Sequence, residues 1–547
     1  MSASSKKKLR KEQNSLLNAE KNKAQKKENR RLKITSTIFI LLIVGLFITG
    51  ITLLTIKGIK RSAIVERNTI ALTLDGNYEL NSIQMAYYYI DTIETQMNQN
   101  SMYLMMGGLD YTVPLDEQDY SEDQTWAEYF VELAATRARD EYALRKAAEK
   151  AGFELSEDDK ALLESAIQEK TLAAMLNYGT DLDTFLSNYY CNGANEENYT
   201  EYLYTGLLAE SYYTHIAEEM NFTDAERAEF TKDTYHEYSS FSYASYFISY
   251  SNYLSTMGED VTVTNATEEQ KAAALELAKA DAELLKQCTT VEELDAAIAQ
   301  LSFNLEKDPP AASVKNNNVL FTNMNSNVQT WVIEEGRKAN DTMVYANESS
   351  TYDDDGNEKK DVSGYTVVIF LGRNDNEYKL SNVRHLLVAF EGGTYDANTG
   401  MTVYTDDEKK LAKDEAERLL ANFKAGAATE EAFIELVKAE TDDTASIETG
   451  GLYEDISPSS GYVTNFLNWA VDQNRQIGDV EIVETEYGYH IMYYSGKSDT
   501  TYRNSMIDSK MQSEALETWY TETTEAVKME IGDTRHLNTS LILQPAE

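Results

Sequence analysis

Between Lys33 and Lys57 the chain runs for 23 residues, Ile34 to Ile56, without a single charge. As a helix the run spans roughly 34 Å at about 1.5 Å per residue, enough to cross a hydrocarbon core of about 30 Å. Ile, Leu, Phe and Val occupy every face, so the run does not read as an amphipathic core helix. No A-x-A-like cleavage site follows Ile56, and no Cys stands there to accept a lipid. A retained signal-anchor over 34–56 is therefore expected rather than a cleaved signal peptide. Residues 1–33 hold twelve Lys/Arg against three Glu, net +9, which leaves −52 for the rest of a chain whose total is −43. The positive-inside rule puts this basic tail in the cytoplasm, the span in the cell membrane and residues 57–547 outside.

That acidic remainder excludes a nucleic-acid binder, which needs a basic face against phosphate. With 42% hydrophobic and 10% aromatic residues, it is not a disordered acidic tail either. Two cysteines, Cys191 and Cys288, cannot build a disulfide scaffold, and whether they pair is open. Five histidines make a His-rich metal enzyme improbable, and neither metal nor cofactor is expected. A serine hydrolase would need an elbow such as G-x-S-x-G, which is not recognisable here.

After the span, Thr69–Leu74 alternates toward a short strand, and Asp75-Gly76 signals a turn. Residues 57–242 then read as a mainly helical domain. Arg137–Lys150 is rich in helix formers and stops at Gly152, and Ser156 with Asp159 opens the next helix as a capping box. Tyrosines crowd this region (Tyr87, Tyr88, Tyr89, Tyr189, Tyr190, Tyr199, Tyr202, Tyr204, Tyr212, Tyr213). Either they pack helices together, or they form an aromatic cradle for apolar segments of another chain. Residues 500–547 turn helical again and are expected to pack back onto the helical domain.

Between these parts lies an internal repeat. Leu277–Leu285 and Leu411–Leu419 align without gaps, six of nine positions identical. Trp331, Arg337 and Asp341 share the spacing of Trp469, Arg475 and Asp479. Gly364-Tyr365-Thr366 closes one unit, Gly488-Tyr489-His490 the other. Two α+β units, 243–375 and 381–498, are expected, the first with a solvated acidic insert near Asp353. His215, His236 and His536 read as surface residues. His385 and His490 lie beside apolar strands at opposite ends of the second unit, a placement that can bring both imidazoles into one core.

His385-Leu-Leu, Thr441-Asp442-Asp443 leading to Gly450-Gly451-Leu452, Phe466, and Val483-x-Thr485 with Tyr487-Gly-Tyr-His490 together resemble the parvulin family of peptidyl-prolyl isomerases. The match spans roughly residues 381–498. The anchor, the helical region and the C-terminal return resemble PrsA/SurA-type extracytoplasmic foldases. The resemblance implies an α+β multidomain chain: an N-terminal transmembrane helix, a SurA-like helical chaperone domain and two parvulin-like units.

By position, His385 and His490 match the family's paired histidines, Asp443 the place of its Cys or Asp, and Thr485 the hydroxyl beside the second histidine. Leu452 and Phe466 match the wall of the proline-ring pocket. Tyr462 stands where many members have Met, a departure expected either to narrow the pocket or to add a polar contact, and Trp469 stands near a usually small residue; both bear on substrate fit. The implied activity is cis/trans isomerisation of X–Pro bonds in unfolded or partly folded exported proteins. The alternative is a holdase without isomerase activity. In the first unit Ser245 and Thr366 fall where His385 and His490 stand, so that unit is expected to serve as a spacer or client surface without activity.

Overall fold

The computed structural model describes residues 63–258, 260–305, 307–352, 357–396 and 400–537. The expected signal-anchor 34–56, the basic tail and the acidic insert 353–356 lie outside them. Among the described residues no helix is long and apolar enough to cross a membrane. The chain divides into two units: one from Phe222 to Ser509, the other of residues up to Asn221 together with those from Lys510 on.

The second of these is mainly helical. Its helices Ser82–Met106, Trp126–Ala151, Glu157–Tyr178 and Glu196–Glu219 each open on a capping box, at Asn81, Thr125, Ser156 and Asn195. In each, one side-chain oxygen satisfies a backbone N–H that the first helical turn leaves orphaned. Strand Ile70–Leu74 turns at Asp75-Gly76 into Tyr78–Asn81, and its other edge pairs with Met529–Ile531. Tyr520 donates to Asp140 at 2.9 Å, and Trp519 meets Tyr212 edge-on. Residues from Lys510 on thus complete the helical unit.

The tyrosines of this unit are mostly core. Tyr87, Tyr88, Tyr89, Tyr190, Tyr199, Tyr202 and Tyr212 are buried. Tyr190 and Tyr202 both donate to Asp91, at 2.9 and 2.7 Å. An aromatic cradle built from them is therefore corrected: a phenol can fill apolar space while its hydroxyl finds a buried carboxylate, and these rings do so. The large apolar side chains that the unit exposes include Met102, Tyr103, Met105 and Met106, and Leu172, Met175 and Leu176.

Both cysteines are free thiols. Burial pushes the Cys191 thiol up to about 12, which leaves it protonated and inert at neutral pH. His215, His236 and His536, expected at the surface, are half-buried. His215 packs on Phe153, and His236 stands edge-on to Phe321.

The unit from Phe222 to Ser509 holds two four-stranded antiparallel sheets built to one plan. In the first, strands Val314–Leu320, Ser240–Ser249, Glu358–Asn374 and Thr342–Tyr352 lie side by side in that order. In the second the order is Leu452–Ile456, Lys379–Ala389, Gly488–Thr501 and Val480–Thr485. Helices Glu268–Leu285, Val291–Ala299 and Ser326–Val332 interrupt the first, and Asp406–Ala425, Glu430–Glu440 and Thr464–Ala470 the second. The repeated nonapeptide explains itself here. Ala278, Ala282 and Leu285 are buried under the first sheet, as Ala412, Ala416 and Leu419 are under the second. Small residues at i, i+4 let a long helix lie close to a sheet.

Candidate active site

His385 and His490 lie on the two central strands of the second sheet, hydrogen-bonded to each other along most of their length. Leu387 stands opposite His490 and Met492 opposite His385. The two imidazoles are thus diagonal neighbours on one sheet face. Both are buried, at 3% and 6% exposure. Their Nδ1 atoms lie 3.0 Å apart. His385 Nε2 is 2.9 Å from Asp443 Oδ2, and His490 Nε2 is 2.9 Å from Thr485 Oγ1.

Asp443 comes from a loop strapped onto the His385 strand. Leu387 N–H donates to Thr441 Oγ1 at 3.1 Å, Asp442 N–H to the Leu387 carbonyl at 2.9 Å, and Ala389 N–H to Asp442 Oδ2 at 2.8 Å. The far end of the loop is held from the opposite face of the strand. Arg384 donates to the carbonyls of Thr449 and Gly450, and to Glu430. Gly451 has φ +70°, and a Cβ there would sit 2.2 Å from the His385 carbonyl. Only glycine lets the loop approach this closely.

Burial opposes the Asp443 charge. The hydrogen bond and positive field of His385, with hydroxyls from Ser446 and Tyr453, outweigh it and hold the carboxyl well below its ordinary range. An ionised carboxylate only accepts, so His385 donates to it from Nε2. Its Nδ1 then meets His490 Nδ1, and His490 Nε2 meets Thr485 Oγ1. Each ring is held in one orientation by a partner at both of its nitrogens.

Above this polar floor opens a cleft of about 240 Å³ walled by Leu387, Tyr453, Tyr462, Val463 and Phe466, with Tyr487 also lining it. Phe466 presents its ring edge-on to both imidazoles, at 5.5 and 5.3 Å, and Tyr462 lies 5.4 Å from Phe466. His385, His490, Asp443, Thr485, Phe466 and Tyr462 are therefore brought together.

Leu452 is not. It pairs with Arg384, while Tyr453 pairs with Val383. In a pleated strand, neighbours in sequence face opposite sides. Leu452 therefore shares a face with Arg384 and Leu386, and Tyr453 shares one with His385. Tyr453 takes the wall position expected of Leu452, and its hydroxyl donates to Asp443 Oδ2 at 2.9 Å. Tyr462 lines the cleft, but Trp469 does not. Trp469 is 1% exposed, donates to Glu481 at 2.9 Å and lies under the Arg475 guanidinium at 4.1 Å. Tyr453 and Tyr487 are functional candidates that motif spacing missed. For the first the sequence held no signal, because its parity relative to His385 is set only by pairing of the two strands; the second follows only from the hairpin Thr485–Gly488.

An apolar ring pocket over a dry histidine pair on an antiparallel sheet defines a parvulin-type peptidyl-prolyl cis-trans isomerase domain. Residues 367–498 match the PPIC-type PPIase domain, so this part of the chain is a parvulin-type domain. The match reaches back into strand Glu358–Asn374 of the first sheet. No curated protein matches the chain. Among solved structures it is similar to the peptidylprolyl isomerase PrsA of Bacillus anthracis, at 23% identity over 28% of this chain and 59% of that one, with a TM-score of 0.17. For PrsA of Bacillus subtilis the identity is 13%, over 76% and 92%, with a TM-score of 0.27. For PrsA of Bacillus cereus it is 14%, over 61% and 86%, with a TM-score of 0.17. The domain match carries the assignment, not these overlays.

Proposed function

We propose that this chain is a membrane-anchored extracytoplasmic foldase, binding unfolded exported proteins and isomerising their X–Pro bonds at the second sheet. The observation that carries the reading is the unbroken line Thr485–His490–His385–Asp443 beneath an apolar cleft of ring size. Rotation about X–Pro meets a barrier of about 18–20 kcal/mol from amide resonance. It needs no nucleophile, only a site that favours the twisted amide over the planar one. Phe466, Tyr462 and Val463 receive the proline ring. The histidine line keeps the floor rigid, so that polar groups do not reorganise as the bond turns.

The client-binding half rests on the helical unit. A groove of about 330 Å³ there is lined by Leu144, Leu163, Ala166, Gly206 and Leu207, and on another helix of the unit Met102, Met105 and Met106 are exposed. Flexible thioethers suit varied apolar partners. The anchor rests on the uncharged run 34–56 alone.

Proline-limited peptide isomerisation by the full chain tests the enzyme. Acceleration that falls to background in the His385→Ala, His490→Ala double variant supports it. If the wild type gives no acceleration but still suppresses client aggregation, the chain is a holdase. Protease added to intact cells stripped of their wall tests the topology: the bulk should be digested and the basic tail spared.

A further inference from the structure

We infer that the Tyr453 hydroxyl, and neither histidine, is the hydrogen-bond donor that meets the X–Pro amide in its twisted state; this rests on the isomerase reading above. The argument begins with the protons of the floor. With Asp443 ionised and accepting, every ring nitrogen of the two imidazoles already faces a partner: His385 Nε2 faces Asp443, the two Nδ1 atoms face each other, and His490 Nε2 faces Thr485. None is left for a substrate in the cleft.

Three tyrosines line the same cleft. The Tyr462 hydroxyl oxygen is buried from solvent and does not face the open space. Tyr487 is 60% exposed at the hairpin, where water competes for its hydroxyl. Tyr453 is the one held in place. Its ring stands 4.8 Å from His385 and 6.1 Å from Phe466, between the polar floor and the apolar wall. Its hydroxyl shares Asp443 Oδ2 with His385 Nε2, both at 2.9 Å. Rotation about the phenol C–O bond swings the proton from Asp443 to the cleft, and the carboxylate keeps His385 when it does.

The acceptor follows from the electronics of the amide. In the planar ground state the nitrogen lone pair is delocalised into the carbonyl, and donation to the carbonyl oxygen would strengthen that resonance and raise the barrier. In the twisted state the lone pair is localised on a pyramidal nitrogen, which then accepts. A donor aimed at the prolyl nitrogen binds the transition state and not the ground state. A proline ring seated against Phe466 brings that nitrogen to the side of the cleft where Tyr453 stands.

The test is Tyr453→Phe in the full chain, with kcat and KM read separately on a proline-limited peptide. We expect kcat to fall about tenfold, the loss of one hydrogen bond, with KM unchanged within about twofold. A solvent deuterium isotope effect on kcat should be present in the wild type and absent in the variant, a readout that lost packing alone would not produce. Melting curves of the two proteins should coincide, since only a hydroxyl is removed. Unchanged kcat, or a loss confined to KM, overturns the assignment while the isomerase reading stands. The same holds if the wild type shows no isotope effect. A wild type without isomerase activity takes both down.

Discussion

The two sheets of the Phe222–Ser509 unit keep the same framework and differ in nearly every polar atom of the site. Strand order is identical, and so is register. Ser245 stands opposite Val368 and Phe247 opposite Thr366 in the first, as His385 stands opposite Met492 and Leu387 opposite His490 in the second. Trp331 lies under Arg337 at 4.1 Å, and Trp469 under Arg475 at the same distance. Yet the line of the second site has no counterpart. Ser245 and Thr366 replace the imidazoles. Asn347 replaces Thr485 and still bonds its neighbour, accepting from Thr366 at 2.7 Å. Val328 and Met324 stand where Phe466 and Tyr462 wall the cleft. The difference teaches that framework and chemistry are separable in this fold. Sheet register, the buried helix face and the Trp–Arg stack are needed for the core to close at all, whereas the histidine line is needed only for what the second sheet does.

The hardest break of the comparison is at the glycines that both sheets share. Gly364 and Gly488 have φ of +154° and +150°, and a Cβ on either would stand 2.1 Å from a cross-strand carbonyl, of Ile248 or Val388. Gly364→Val and Gly488→Val should each cost about 3 kcal/mol or more, read as lost denaturant resistance. If only one of them destabilises, the shared framework is wrong.

Activity should then separate the two sheets. His385→Ala or His490→Ala should lower kcat/KM about a hundredfold, near 2.7 kcal/mol, with a lower melting temperature because each imidazole is half of a buried pair. Ser245→Ala and Thr366→Val should leave the rate unchanged. A rate that falls with the first-sheet variants would give that sheet a part in the chemistry.

Acid sharpens the contrast further. The Asp443 carboxyl is held below its ordinary value in the fold. Its contribution to stability is therefore fully present above the ordinary carboxylate pKa of about 4, and is lost as pH falls from there toward the folded value. The wild type should melt above Asp443→Asn at pH 6, and the gap should shrink below about pH 4. A gap that is constant down to pH 2 would contradict an ionised Asp443 accepting from His385 and Tyr453.

The smallest effect is on the shared stacks. Arg337→Gln and Arg475→Gln should each cost about 1 kcal/mol by loss of the cation–π contact. Both guanidiniums also hold carboxylates, Arg475 that of Glu481 at 2.8 Å and Arg337 those of Asp341 at 3.2 Å and Glu334, so the two losses should be alike. A loss at one alone would mean that the stack is not a shared part of the framework.

Much of this protein is legible in its sequence, for a reason of range. The capping box at Ser156, the turn at Asp75-Gly76, the uncharged run 34–56 and the repeated Leu-Ala-Lys nonapeptide all act over short stretches of chain, so composition and spacing carry them. The histidine pair was visible as two residues flanking apolar strands. What closes the site was not. Asp443 reaches His385 only because Arg384 and Gly451 draw a loop against the strand from two directions. The crowd of tyrosines looked as much like a binding surface as a core until helix packing buried it around Asp91. The choice between Leu452 and Tyr453 turned on a single step of pleat parity. A one-residue offset sends a side chain to the other face of the sheet, and parity relative to His385 exists only once the two strands are paired. The sequence therefore determined the elements, the repeat and the kinds of residue at the site. The tertiary structure alone decided which of them face one another, because register and loop closure are set by contacts between segments tens of residues apart.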